Sequence, residues 1–195
     1  MHGANRLGGN SLLDLVVFGR ATGKFIQEEL KSGGGVSSAS KEDINNSLER
    51  LNYLNESKSG YETADVKREL QECMQNYFGV FRRGDFMEKG LTELSEIRNK
   101  VENLHLKDKS DAFNTSRVEA IELQNLFEVA EATAISAFER NESRGAHARD
   151  DFPDRDDDNW LCHSLYDPIT KSISKRDVNF APSQVEAFPP IVRTY

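Results

Sequence analysis

The sequence predicts a mainly α fold: one apolar helix, then an antiparallel helical bundle, then a loop-rich C-terminal region with a short β-hairpin. Three observations carry this reading. Apolar residues recur at intervals of three and four along the middle of the chain, as in Met87, Leu91, Leu94, Ile97, Val101 and Leu104. Hydrophobic residues make up 37% and charged residues 30%, a polar balance suited to amphipathic helices on a wet surface. All five prolines lie beyond residue 142, where the helical periodicity stops.

The first helix follows Gly8, Gly9 and Asn10, with Ser11 as the expected N-cap and Gly33 as the stop. Leu12, Leu13, Leu15, Val16, Val17 and Phe18 make its first half apolar on nearly all sides, which predicts burial within a larger body. Ser40 with Asp43 resembles a capping box, and Ile44, Leu48, Leu51 and Leu54 then share one face of a second helix. Val66, Leu70, Cys73, Met74 and Tyr77 mark a third, and Gly84 breaks the chain before the helix that begins near Met87. Asn114 or Thr115 can cap a last helix that runs through Val118, Ile121, Leu126, Val129 and Ile135 to Phe138. Short links between amphipathic helices favour an antiparallel arrangement. Beyond it, Trp160 to Tyr166 and Lys171 to Val178 can pair across Asp167-Pro168, and the end from Phe188 reads as an extended strap.

Several functions are disfavoured by composition. A net charge of −8 and a pI near 5.1 make electrostatic binding of nucleic acid or anionic lipid a poor fit. Two cysteines, Cys73 and Cys162, cannot build a disulfide scaffold, a four-thiolate zinc site or an iron–sulfur cluster within this chain alone. The longest apolar runs are split by Asp14 and are too short to span a bilayer, and the first twenty residues lack a signal-peptide pattern.

Two stretches carry chemistry. From Glu139 to Asp158 there are eight acids and four arginines. A calcium loop starting at Asp154 would need glycine at its sixth position and glutamate at its twelfth, but Asn159 and Leu165 stand there. Pairing of these acids with Arg144, Arg149 and Arg155 in a charge-rich loop is the better reading. His147, Cys162 and His163 lack metal-site spacing, and His105 at a helix end needs no function beyond its charge. The second stretch, His2 to Ser11, combines a glycine-rich turn, Arg6 and a helix start. Glycines allow close backbone approach, a helix N-terminus favours an anion, and an arginine can grip a carboxylate with two parallel hydrogen bonds. An anion or cofactor contact and an ordinary turn before a core helix stand about level on these grounds.

A resemblance separates them. The run from His2 through Arg20 closely resembles a signature of the succinate dehydrogenase/fumarate reductase flavoprotein subunit. Phe78 to Gly84 is similar to that family's helical domain. Glu142 to Arg149, Asp151 to Asp157 and Asn159-Trp160-Leu161 are similar to its C-terminal region, and Arg193-Thr194-Tyr195 to the succinate dehydrogenase ending. The resemblance implies that residues 1–35 end an FAD-binding domain, 36–141 form a helical bundle domain, and 142–195 form the C-terminal loop and hairpin region. It implies that Arg6 binds a carboxylate of the dicarboxylate substrate and that Asn10, Ser11 and Leu12 lie at FAD near its isoalloxazine ring. No catalytic residue and no metal ligand is implied in this stretch. His147, Arg144 and Arg149 belong to a family motif, with a structural role expected.

Family members oxidise succinate to fumarate with FAD and pass electrons through an iron–sulfur subunit to quinone. The resemblance thus implies an iron–sulfur subunit, membrane anchor subunits of complex II and a flavinylation or assembly factor as partners. The expected place is peripheral, on the cytoplasmic face of a bacterial inner membrane or the mitochondrial matrix side. The chain matches only the last third of the family and lacks its pyrophosphate-binding glycine motif, its flavin-linked histidine and its capping domain with the proton-transfer arginine. A truncated, inactive piece is therefore expected. Alternatives are a fumarate reductase piece or a non-catalytic helical interaction module.

Overall fold

The computed structural model describes residues 9–35, 37–181, 183–184, 186–188 and 190–191. Their order is α1 (Asn10–Lys31), α2 (Lys41–Glu56), α3 (Thr63–Phe78), β1 (Phe81–Arg82), α4 (Gly84–Glu102), α5 (Thr115–Glu139), β2 (Ala148–Arg149), α6 (Asp157–Trp160), β3 (Cys162–Asp167) and β4 (Ser172–Asp177). The protein is mainly helical with small strands, as the periodicity predicts. Most helix boundaries fall where the punctuation places them. Ser40 caps α2, its Oγ accepting from Asp43 N at 3.0 Å and donating to the Asp43 carboxylate at 2.6 Å. Asn114 caps α5, its Oδ1 accepting from Arg117 N at 2.9 Å, while its buried amide donates to Asp108 O and Ser110 O. The hairpin β3–β4 is antiparallel and pairs Cys162 with Asp177 and Asp167 with Ser172. Trp160 is not part of it: Asp156 caps the short α6, and that turn takes Trp160 out of the strand.

The start of α1 differs from expectation. Ser11 is not the cap. Gly9 adopts φ 76°, ψ 5°, and its carbonyl accepts from Leu12 N at 3.0 Å and Leu13 N at 3.4 Å. A residue without Cβ enters this left-handed conformation at little cost, so the helix begins at Asn10 and Ser11 sits inside its first turn. Nor is α1 buried. None of its residues is, and Leu12, Leu15 and Val16 are 71%, 70% and 68% exposed. An apolar strip of this length in water favours association. In light scattering at rising concentration the chain is expected to self-associate, and an unchanging monomer mass would contradict that.

The chain divides into two units, one of Met1–Glu69 with Ile97–Gln124 and the other of Leu70–Glu96 with Asn125–Tyr195. In the first, Leu54, Val66, Ile97, Val101, Leu104, Leu106 and Leu123 form the core. Lys100 pairs with Glu69 at 2.6 Å, and Arg50 donates to the Gln124 amide oxygen at 2.6 Å and to Ile121 O at 3.1 Å. In the second unit the core holds Leu70, Cys73, Phe78, Met87, Leu94, Phe127, Ala134 and Trp160. Cys73 is inert by position: burial, with Glu93 adding to it, pushes its thiol up to about 12. The link after α3 folds α4 back so that Gly90 lies against Tyr77 and Phe78. A Cβ at Gly90 would stand 2.5 Å from both Tyr77 Cβ and a Phe78 ring carbon. Gly90→Ala is expected to cost about 1–3 kcal/mol through overpacking, read as a lower urea midpoint. An unshifted midpoint would show that the Phe78 ring can give way.

One pairing bears directly on the site. Strands β1 and β2 are parallel, with Phe81 opposite Ala148 and Arg82 opposite Arg149. Two residues long, they carry no periodicity that a sequence reading could find.

Candidate functional site

Two places hold the residues singled out from the sequence. The first is the N-terminus of α1. Asn10 and Leu12 are exposed there and Ser11 is half-buried. The first turn has no side-chain cap and no acidic residue, and Lys31 stands in the last turn. The leading N–H groups of a helix have no partner within it, and together they present positive potential. This end is therefore chemically suited to an electron-rich edge or anion, with Leu12 offering an apolar surface beside it. Arg6 lies outside the described residues.

The second place is assembled from β1, the end of α5, β2 and the loop between α5 and α6. Its centre is Glu142, fully buried. The carboxylate accepts from Arg140 at 2.5 Å, from Arg144 at 2.8 and 3.0 Å, and from Asp156 N at 2.9 Å. Burial works to raise the pKa of Glu142, but the Arg144 hydrogen bonds, the Asp156 N–H and Arg140 outweigh it and hold the group below its ordinary value. Arg140 also donates to Trp160 O, Cys162 O and Ser164 Oγ at 2.8–2.9 Å and lies over the Trp160 ring. One arginine thus fastens α6 and β3 to the end of α5.

Arg149 closes the other side. It is buried, and one guanidinium nitrogen donates to the carbonyls of Ala137, Phe138 and Arg140. Ala137 and Phe138 belong to the last turn of α5, whose carbonyls lack partners within the helix, at its negative end. Two other nitrogens grip Asp151 at 2.7 and 2.8 Å, and Asp151 accepts the Gly84 N–H at the start of α4 at 2.8 Å. An ion pair so placed satisfies a helix C-terminus with its cation and a helix N-terminus with its anion. Asp151 is held well below the usual carboxylate range, first by Arg149 and then by that backbone N–H, against the opposing effect of burial.

His147 sits between these arginines. Its Nδ1 is 2.8 Å from an Arg82 guanidinium nitrogen and its Nε2 is 3.0 Å from Arg140 O. Arginine can only donate, so Nδ1 is the acceptor, Nε2–H donates to the carbonyl, and the ring is neutral. Burial lowers its pKa, the carbonyl opposes this, and Arg82, Arg149 and Arg140 lower it further. His147, Glu142 and Asp151 all bind protons less readily folded than unfolded. Their stabilisation is complete above the unfolded pKa values and is lost as pH falls through the folded ones. Unfolding is expected to become easier first below about 6.5, from His147, and again below the usual carboxylate range. Urea midpoints from pH 8 to pH 3 check this, and a flat profile would contradict it.

Most of these residues lie between Glu142 and Asp151, within the part of the chain that matches a known family. A family model described as "Fumarate reductase flavoprotein C-term" matches residues 67–195. The succinate dehydrogenase flavoprotein subunit of Coxiella burnetii (strain RSA 493 / Nine Mile phase I) is 44% identical over 190 residues, covering 97% of this chain and 32% of that protein. This chain belongs to the succinate dehydrogenase/fumarate reductase flavoprotein family. The fumarate reductase flavoprotein subunit of Proteus vulgaris is 40% identical over 176 residues, covering 86% of this chain and 29% of that one. Among solved structures, an FrdA variant of E. coli quinol fumarate reductase superposes with a TM-score of 0.83 at 35% identity, over 97% of this chain and 33% of its own. The present chain spans about a third of the length of each of these flavoprotein relatives, their C-terminal part.

Within this flavoprotein chain the expected ion pairs of the acidic run are present: Arg144 with Glu142 and Asp157, Arg149 with Asp151, Arg155 with Asp157. Sequence reasoning missed Glu142 as their buried centre and missed Arg82 and Arg140 altogether. The one local signal was an acid flanked by arginines two residues away on each side, a spacing that exposed loops also show.

Proposed function

We propose that this chain is the C-terminal third of a succinate dehydrogenase flavoprotein subunit. The observation that carries the reading is the 44% identity, over 97% of the chain, to a subunit of that name. FAD is the expected cofactor, and the start of α1 suits it: an uncapped helix terminus with no acid in its first turn, preceded by a glycine that lets the backbone approach closely. When bound, FAD supplies the two-electron oxidation of succinate to fumarate.

The tasks of this chain's own residues follow from their chemistry. Asn10 and Ser11 would hold the flavin ring through their backbone N–H groups, and the α1 terminus would favour negative charge there. Leu12 excludes water beside it. Arg6 holds one substrate carboxylate with two parallel hydrogen bonds and so orients the carbon–carbon bond to be oxidised. Glu142, Arg149 and His147 keep the second unit rigid and take no part in the chemistry. The division into 1–35, 36–141 and 142–195, with the first piece belonging to an FAD-binding domain, is part of the same proposal. So are the iron–sulfur and membrane anchor subunits and an assembly factor as partners, in peripheral association with a membrane. No helix among the described residues is long and apolar enough to cross one.

The deciding experiment captures the native protein with an antibody to its C-terminal residues and measures intact mass and flavin absorbance. A polypeptide about three times longer, carrying flavin and oxidising succinate, is the expected result. A free 22.0 kDa chain without flavin would overturn it and favour an interaction module. Turnover with quinol and fumarate that exceeds succinate oxidation would assign fumarate reductase instead, a direction that the 40% identity to a fumarate reductase subunit also supports.

A further inference from the structure

Arg82 is a half-buried cation with no carboxylate partner among the described residues. Its Nε donates to Phe78 O at 3.3 Å and Gly79 O at 3.1 Å, the end of α3, and one terminal nitrogen donates to His147 Nδ1 at 2.8 Å. Its other terminal nitrogen meets no acceptor among those residues. Every other buried or half-buried arginine around it has an acid: Arg140 and Arg144 share Glu142, and Arg149 has Asp151. A partly desolvated guanidinium fixed by three hydrogen bonds and lacking an anion is a costly arrangement unless an anion arrives.

Arg82 lines a shallow groove of about 630 Å³. His147 and Ser164 line it too, and α5 contributes Glu128, Val129, Ala132 and Ala137. Val129 is 65% exposed, and the small residues of α5 would let another backbone come close. The groove thus has a mainly apolar surface that carries the Arg82 cation and one exposed acid, Glu128, inside a chain whose net charge is −8. An apolar side chain followed by a carboxylate would suit its apolar surface and the Arg82 guanidinium. The curated relatives it matches carry roughly twice as much further polypeptide, which makes the same polypeptide the nearest source of such a segment.

We propose that Arg82 receives the carboxylate of an acidic–apolar segment from the remainder of the flavoprotein polypeptide, seated in the groove along α5. The inference rests on the reading of this chain as part of a longer flavoprotein. The bound carboxylate would take the free guanidinium nitrogen, and the Ser164 hydroxyl lines the same groove as a further donor.

The test places a photo-crosslinking benzoylphenylalanine at Val129 in the longer flavoprotein and maps the adduct by mass spectrometry. The expected adduct lies in the same polypeptide, outside these 195 residues, on a peptide containing Asp or Glu. Its yield should fall severalfold in Arg82→Gln and recover in Arg82→Lys, which restores the charge. An adduct on a separate subunit, on a peptide without an acid, or no adduct would overturn the proposal while leaving the family reading intact. So would a yield indifferent to Arg82→Gln in a variant whose unfolding midpoint is unchanged. A native polypeptide of only 22.0 kDa would remove both.

Discussion

Glu142→Gln is expected to lower the unfolding free energy by about 3–5 kcal/mol. The side chain is fully buried and is the shared anion of Arg140 and Arg144. Glutamine keeps the volume but removes the charge, so Arg140 loses its counter-ion and Arg144 keeps only Asp157. Its amide also turns two donors towards groups that can only donate, where the carboxylate had accepted four hydrogen bonds. The damage should spread along Arg140, because the same guanidinium holds Trp160 O, Cys162 O and Ser164 Oγ. Urea unfolding followed by Trp160 fluorescence measures it, since this chain has one tryptophan and it sits under Arg140. A loss below about 1 kcal/mol would mean that the pairs are balanced by their own desolvation, as exposed pairs are.

Arg6→Lys in the longer flavoprotein should lower kcat/KM for succinate by roughly 10–100-fold while bound flavin stays largely intact. A hydrogen bond to a charged group contributes about 1.5–3 kcal/mol, and lysine offers a point charge where arginine offers a planar fork. The proposed flavin contacts lie instead on Asn10, Ser11 and Leu12, whose backbone groups the substitution does not touch. Steady-state kinetics beside the flavin-to-protein absorbance ratio checks both halves. Unchanged turnover would remove Arg6 from substrate binding, and loss of flavin would make it a cofactor residue instead.

These two residues also show where a sequence can be read and where it cannot. Arg6 can be singled out from the sequence because its neighbours are contiguous: a glycine-rich turn, an arginine and a helix start lie within ten residues. Even there the cap was misplaced, because the freedom of Gly9 to adopt a left-handed conformation outweighed the hydroxyl of Ser11. Glu142 looked like one acid among eight. Its burial depends on α5 ending at Glu139 and on α6 returning Asp156 N to it, and neither distance is written in local spacing.

Helix limits, the caps at Ser40 and Asn114, the β3–β4 turn and the family signature are local in chain distance, so the amino-acid order alone determined them. The parallel pairing of Arg82 with Arg149 and the tautomer of His147, set by its contact with Arg82, join residues more than sixty positions apart. Only the tertiary structure decided these, because desolvation and the pairing of charges depend on what surrounds a group in space rather than on what precedes it in the chain.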